Sequence, residues 1–541
     1  MAVQWYPRGA QIDNAPPERG SNADVATSMD VAPSRTVDPG AARPPTFGNY
    51  VNGEWRPAAS GGTFEDRNPA DTDDLIGRFA ASGPEDVAAA VAAAAGAAER
   101  WRLTSAVARA AILHKAANLL EARIPEVGRE LTREEGKTLK EGIGETTRAV
   151  QILRYFAGEA VQPSGEHYPS ATPMTLLYTQ REPLGVVAVI TPWNFPIAIP
   201  AWKIAPALAF GNTVVVKPAS LTPLCAVRLV ETLAEAGLPP GVLNLVTGAA
   251  AEVGDPLVRD ERVVAITFTG SNATGAALRM IAAERGAKLQ LELGGKNPAI
   301  VLADADIEHA LGHVVSGAMM STGQKCTATS RAIVDRTLAE RFTARLAERI
   351  GALVVGDPQR SDTQIGPLID AAAADRVTSE VEAARVAGGR LVVGGGRLAD
   401  NGRGKGHFVA PALFADVDPD STLGQDELFG PVLGVIPVDG MDEAMAVANR
   451  VRYGLSASVF TRDLGRALAF VQGIQAGIVH VNSETPGAEP HVPFGGMKGS
   501  SSYSREQGKA AREFFTQTKT VYIDPPPTPV DTGERRASGS A

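Results

Sequence analysis

The chain has 541 residues, 44% of them hydrophobic and 21% charged, with a formal net charge of -9. That balance is ordinary for a globular protein, long enough for roughly two to four domains and for a large core without covalent staples. The acidic surplus argues against a nucleic-acid surface as the main function, since such surfaces are basic.

Residues 1–44 are rich in Pro, Ala, Asp, Ser and Gly and lack a hydrophobic period, which predicts a disordered tail with no secretory apolar region; 525–541 reads the same way. Pro84–Trp101 is Ala-rich with proline in its first turn and predicts a helix, followed by a second over Ala106–Arg123 and a long third within Thr132–Ala160. Leu184–Thr191 is a short, β-branched apolar run of the kind buried in a parallel sheet. Strands are expected again at Thr213–Lys217, Val242–Val246 and Val263–Phe268, separated by helices over Pro200–Phe210 and Ser220–Ala236. After Gly294 the alternation resumes, with strands at Ala299–Leu302, Ser330–Val334, Val432–Val438, Ala457–Phe460 and Gly477–Val481 and helices at Ile307–Met320, Ala339–Leu353 and Ala374–Ala387. Such alternation implies right-handed crossovers and doubly wound sheets, here in two α/β lobes without an internal repeat. Tyr178 and Thr518–Ile523 are expected to pair as peripheral strands. No run of about 18 apolar residues signals a membrane span. The two cysteines, Cys225 and Cys326, allow one bridge at most and point to a reducing compartment, the cytoplasm.

Cys326 lies in TGQKCTATSR, where Lys325 and neighbouring hydroxyls would favour a thiolate, although a lone cysteine is more often a buried small hydrophobe. Cys225, among apolar neighbours on an amphipathic helix, reads as core. Glu292 ends the strand pattern KLQLE before two glycines, a place from which a carboxylate lines a cleft and serves as a base, or else is a solvated strand end. Asn194, in ITPWNFP, offers a side-chain amide to a developing oxyanion, or shapes a turn. Lys217 ends a parallel strand where ribose or phosphate is held in open α/β sheets. FTGSNATG (268–275) opens a helix whose N-terminus suits a phosphate, and Glu427 in QDELFGPV suits a ribose diol or a surface cap.

Taken in order, PWNFP, VVKPAS, FTGS, LELGGKNP, GQKC, ELFGPV and PFGGMKGS resemble the aldehyde dehydrogenase superfamily over about residues 46–524. The resemblance implies an aldehyde dehydrogenase-like fold: two Rossmann-type α/β lobes and a small β element that makes homodimers or homotetramers. The division it implies places an NAD(P)-binding domain at 45–165 and 183–293, a catalytic domain at 294–496 and the oligomerisation element at 166–182 and 497–524. It implies Cys326 as nucleophile, Glu292 as general base, Asn194 as oxyanion donor, and Lys203 and Glu506 as a proton path behind Glu292. Thr191, Pro192, Trp193, Lys217, Ser220, Gly270, Ser271, Leu293, Glu427 and Phe429 would hold the cofactor, with Asn272 departing from the threonine common there. No metal is required, because the electrons leave with the cofactor.

Ser220, three residues after Lys217, stands where NAD-preferring relatives often carry a carboxylate. Without that repulsion NADP is expected to be accepted and preferred, with NAD also usable. The stretch HVNSETPGAEPHVPFGGMKGSSSYSREQG is similar to that of 2,5-dioxovalerate (α-ketoglutarate semialdehyde) dehydrogenases. A substrate with a distal carboxylate asks for a cation, for which Arg148 is the first choice and Arg154 the second. Phe195, Trp202, Ser483 and Thr485 would line the substrate tunnel. Succinate semialdehyde is the alternative substrate, against which Trp202 counts, and a broad-specificity enzyme is another. A non-catalytic protein of this fold would have lost Cys326 or Glu292, and a CoA-acylating relative often lacks the latter.

Overall fold

The apolar, β-branched runs fall where doubly buried parallel strands need them. In the computed structural model, which describes residues 35–36 and 44–525, Val186–Ile190 and Thr213–Lys217 lie side by side in parallel, Lys217 opposite Ile190. Around them forms a seven-stranded sheet in the order Lys288–Glu292, Val263–Thr269, Val186–Ile190, Thr213–Lys217, Leu243–Leu245, Asn49–Val51 and Glu54–Arg56. The chain works outward from Val186–Ile190 to one side, then returns and works outward on the other. That reversal is a topological switch point, and the crevice beyond the carboxyl ends of such strands is where open α/β sheets bind ligands. TPWNFP, Lys217, Gly270–Ser271 and Glu292 all sit at those carboxyl ends.

A second seven-stranded sheet runs Arg390–Val393, Ala412–Ala415, Val432–Val438, Thr329–Asp335, Asn297–Val301, Ser456–Phe460 and Ile478–Val481, parallel except for its first strand. Cys326 lies three residues before Thr329, at the amino ends of this sheet. LELGGKNP joins the lobes: Glu292 closes a strand of one sheet and Asn297 opens a strand of the other.

Ile124–Glu135, a helix not foreseen, precedes Leu139–Glu159, the long helix expected within Thr132–Ala160. Gly136 takes a left-handed φ of 92° and ends the first, while Thr138 and Glu141 form a capping box that starts the second. A four-stranded sheet near the amino end, Arg35–Thr36, Thr46–Phe47, Leu75–Ala80 and Thr63–Arg67, was not foreseen. Apart from residues 35–36, 44 and 525, the expected disordered tails lie outside the described residues.

Tyr178 does pair with the C-terminal strand, opposite Val521, in a three-stranded sheet of His167–Tyr168, Leu176–Pro183 and Thr516–Ile523. Residues 497–510, expected in the same element, instead cross the interlobe region. Met497–Lys498 pairs with Tyr453–Gly454, Ser501 bridges Glu292 and Glu506 bridges Phe494. Among the described residues, no helix is long and apolar enough to cross a membrane.

Candidate active site

Cys326 is half-buried, in a turn closed by the Ala328 amide donating to the Lys325 carbonyl at 3.0 Å. The approach to it is strained, since Ser321 and Thr322 both have φ near 53°. Non-glycine residues avoid that region, a β-branched one most of all, and such outliers persist where surrounding contacts dictate them. Here Glu141 accepts from the Ser321 amide at 2.6 Å, and Thr322 donates to the Gly366 carbonyl at 3.2 Å. Asn297 anchors the far side by donating to the carbonyls of Cys326 and Ala328 at 2.8 and 2.9 Å. The surroundings of Cys326 work against the expected thiolate. Burial, then the carboxylates of Glu427 and Glu292, push the Cys326 thiol up, and burial also lowers the pKa of Lys325. Cys225 is fully buried and its thiol is pushed up by burial and by Glu134, as the core reading expects.

Asn194 is buried, and its side-chain amide donates to the Gln324 carbonyl at 2.9 Å, two residues before the thiol. An amide carries two N–H groups, so one is left for another acceptor. The loop beneath it rests on Lys137, whose ammonium donates to the Asn194 carbonyl at 2.8 Å and to Glu145 at 2.7 Å, and lies 4.2 Å above the Phe195 ring. Sequence reading missed Lys137, Glu141, Glu145 and Asn297. The signal for the first three was the charged cluster EEGKTLKEGIGE, set against a helix start, and Asn297 lies within the LELGGKNP motif.

Glu292 is buried; one oxygen accepts from Ser501 at 2.6 Å and the other has no partner. Burial, reinforced by the neighbouring Glu506 charge, raises its pKa well above the carboxylate range. Glu506 in turn pairs with fully buried Lys203, which also donates to Thr267 at 2.9 Å, while the second Glu506 oxygen is unpartnered. Glu292 and Glu506 thus each keep a spare carboxylate oxygen in a buried region that also holds Lys203.

Lys217 is buried with only the Pro218 carbonyl, at 2.8 Å, to receive its ammonium, and burial lowers its pKa to about 8. The nearby Thr191 hydroxyl is buried without a partner. Both features fit ribose hydroxyls or phosphate. Ser271 caps the helix Asn272–Arg285 by accepting from the Thr274 amide, and Asn272 ties this turn down through the Gly294 amide at 3.2 Å and the Gly499 carbonyl at 2.7 Å. A side chain at Gly270 would meet the Phe268 ring, and one at Gly275 would meet buried Leu293. Glu427 accepts from the Gly295 amide at 3.0 Å and is raised to about 7, chiefly by burial. Phe429, itself left-handed at φ 54°, stands edge-on to Trp193 at 5.4 Å, with Pro192 one residue before that ring. Ser220 donates to the Gly248 carbonyl at 2.7 Å.

Of the residues expected around the substrate, Arg148 lies three residues after Glu145 on the same helix face, paired loosely with exposed Glu489 at 3.5 Å. One of its guanidinium nitrogens is buried without a hydrogen bond. Phe195 and Trp202 are placed together with the site; Trp202 packs against Phe494 at 5.5 Å with its indole N–H unpartnered. Ser483 is half-buried, its carbonyl accepting from Ser458. Two expectations need correction. Arg154 lies on the outer surface in a fork with Glu121 at 2.5 and 2.8 Å, so its charge is already matched there. Thr485 is fully buried, its hydroxyl donating to the Thr327 carbonyl at 2.8 Å and facing Thr329 at 2.8 Å; it braces the Cys326 loop and does not line a tunnel mouth.

A parallel-sheet dinucleotide crevice whose strand ends face a cysteine and a buried carboxylate is the architecture of an NAD(P)-dependent oxidoreductase. Residues 55–521 match the model of the aldehyde dehydrogenase family, and the chain belongs to that family. It is 48% identical over 480 residues to the alpha-ketoglutaric semialdehyde dehydrogenase of Bacillus subtilis, covering 89% of this chain and 98% of that protein. The alpha-ketoglutarate semialdehyde dehydrogenase of Haloferax volcanii is 46% identical, with coverage of 88% and 98%. Among solved structures, betaine aldehyde dehydrogenase from Staphylococcus aureus in complex with NAD+ superposes with a TM-score of 0.86 at 33% identity, over 90% of this chain and 96% of that one.

Proposed function

We propose that this enzyme oxidises 2,5-dioxopentanoate to 2-oxoglutarate through a thioester on Cys326. The observation that carries the mechanism is the buried Glu292, with one oxygen unpartnered, at the start of the LELGGKNP segment that Asn297 ties to the Cys326 carbonyl at 2.8 Å. Cys326 gives its proton toward Glu292 and its sulfur attacks the aldehyde carbon, forming a thiohemiacetal. The free N–H of Asn194 and the Cys326 amide donate to the oxyanion. Lys217, Trp193, Glu427 and Phe429 would hold the nicotinamide cofactor, which when bound would supply the hydride acceptor for oxidation of the thiohemiacetal to a thioester on Cys326. Glu292 first passes the thiol proton on toward the Glu506–Lys203 pair; deprotonated again, it takes a proton from water, which attacks the thioester carbonyl and releases the acid as the Cys326 thiolate leaves. A carboxylate base in this position favours water over CoA as the acceptor.

The substrate assignment rests on the two semialdehyde dehydrogenase relatives and on Arg148, whose exposed Glu489 partner is easily displaced by a substrate carboxylate. Formation of reduced cofactor is to be followed with 2,5-dioxopentanoate, succinate semialdehyde and neutral aldehydes, with and without CoA. The dioxo acid is expected to give the highest kcat/KM without CoA; a neutral aldehyde in first place removes the assignment. Arg148→Ala is expected to raise KM for the dioxo acid at least ~10-fold, the effect of ~1.4 kcal/mol of lost ion-pair binding, and to leave a neutral aldehyde nearly unchanged.

NADP is proposed as the preferred cofactor, because buried Lys217 lacks an acidic partner and Ser220 adds no negative charge. A tenfold or greater kcat/KM advantage for NAD would reverse it. We further propose assembly as a homodimer or homotetramer through the three-stranded sheet.

A further inference from the structure

Lys137, Glu141 and Glu145 have no place in the chemistry just described, yet each is tied to it. They flank the start of the helix Leu139–Glu159. Lys137 reaches the Asn194 carbonyl at 2.8 Å. Glu145 receives Lys137 on one oxygen at 2.7 Å, and on the other the amides of Ile197 and Ala198, each at 3.1 Å. The oxyanion-donor loop is thus gripped at both ends, at residue 194 and at the entry to the helix Ala198–Ala209. Glu141 grips the opposite half, accepting from the Ser321 amide at 2.6 Å and its hydroxyl at 3.1 Å, where the strained turn before Cys326 begins. Burial opposes the charge on Lys137, but Glu135, Glu145 and Glu141 around it outweigh burial and keep the ammonium protonated.

We propose that Lys137, Glu145 and Glu141 are positioning residues: a clamp, buried at Lys137 and Glu145 and half-buried at Glu141, that sets the spacing between the Asn194 amide and the Cys326 backbone, and so builds the oxyanion site. The proposal rests on the reading of Asn194 as oxyanion donor. Geometry makes such a clamp consequential, since misplacement by about 1 Å at a reacting centre costs on the order of 100-fold in rate. A buried ion pair also holds direction better than a flexible polar contact, because both partners forfeit water if they separate.

The test is a double-mutant cycle on the full chain, with the dioxo acid as substrate. Asn194→Ala is expected to lower kcat by roughly 100-fold. Lys137→Met should lower kcat by at least ~10-fold with KM for cofactor unchanged, and should add less than ~3-fold when placed on Asn194→Ala, since both act through one donor. Lys137→Arg should recover most of the lost kcat. On the other half, Glu141→Ala should lower kcat while Glu141→Gln, which keeps an acceptor for the Ser321 amide, stays near wild type; this pair decides the matter if Lys137→Met does not fold. Losses that multiply in the double variant overturn the clamp, as do a wild-type kcat in both Lys137→Met and Glu141→Ala, or equal losses in Glu141→Gln and Glu141→Ala. A wild-type enzyme that reduces cofactor normally while Asn194→Ala loses nothing would instead remove the oxyanion reading itself.

Discussion

Cys326 and Cys225 carry the same side chain into different surroundings, one half-buried between two lobes and one sealed in the core. Cys326→Ser is expected to lower kcat by at least ~1,000-fold, since an alcohol is a far weaker nucleophile at neutral pH. Cys225→Ser should keep turnover and lose only stability, which activity and thermal melts distinguish. Glu292 makes a second prediction with a definite sign. Its pKa is raised by burial and by Glu506, and lowered by Lys203. As a base it acts deprotonated, so turnover rises with pH through its pKa. Glu506→Gln removes a raising charge and should move that limb to lower pH; Lys203→Met removes a lowering charge and should move it higher. A kcat–pH profile checks both, and shifts in the opposite sense would remove Glu292 as the base. Glu292 was legible because it ends a strand pattern within a multi-residue motif, and Cys326 because GQKC is one of the motifs that carry the family resemblance. Lys137 and Asn297 were not, because their partners are backbone carbonyls 57 and 29 residues away, and no spacing in the chain reports such a contact.

Helix boundaries show what periodicity alone cannot settle. The long helix expected within Thr132–Ala160 starts only at Leu139, and Gly136 turns the chain before it so that Lys137 reaches the Asn194 loop. A Cβ on Gly136 would sit 2.8 Å from a Pro367 carbon and 2.9 Å from a Pro69 carbon, at a φ of 92° that side chains avoid. Gly136→Ala should therefore cost at least ~1 kcal/mol in stability and lower kcat together, by misdirecting the clamp. Gly144 lies exposed within the next helix with open space around it. Gly144→Ala should stabilise by about 0.5–1 kcal/mol and leave kcat alone. Thermal melts and turnover of the two variants separate conformational demand from helix propensity. The segment 497–510 carries no period in its glycines and serines, and its pairings with Tyr453–Gly454, Glu292 and Phe494 show where it runs.

At the scale of the whole molecule, the active site exists because two parallel sheets face each other with opposite polarity: carboxyl ends of one, amino ends of the other, joined through LELGGKNP. The alternation of strand and helix made both lobes legible, whereas the short strands of the amino-terminal four-stranded sheet lie below what alternation resolves. The three-stranded sheet stands apart from both cores. Its strand Thr516–Ile523 is an edge, pairing on one side with Leu176–Pro183 and open on the other. On this edge strand Ile523 lies opposite half-exposed Leu176 on one face, while Tyr522, 66% exposed, points to the other, so apolar side chains stand open on both faces beside the unpaired edge. Soluble chains seldom leave such an edge bare, because it invites another strand or a hydrophobic partner. Sedimentation is expected to show a dimer or tetramer. Replacing Tyr522 and Ile523 together by Asp should shift the population toward monomer, since burying two carboxylates in an apolar contact is strongly unfavourable. The Cys326 site, built within one chain, should keep its thiol chemistry in that monomer; an unchanged sedimentation profile for the double variant would move the interface elsewhere.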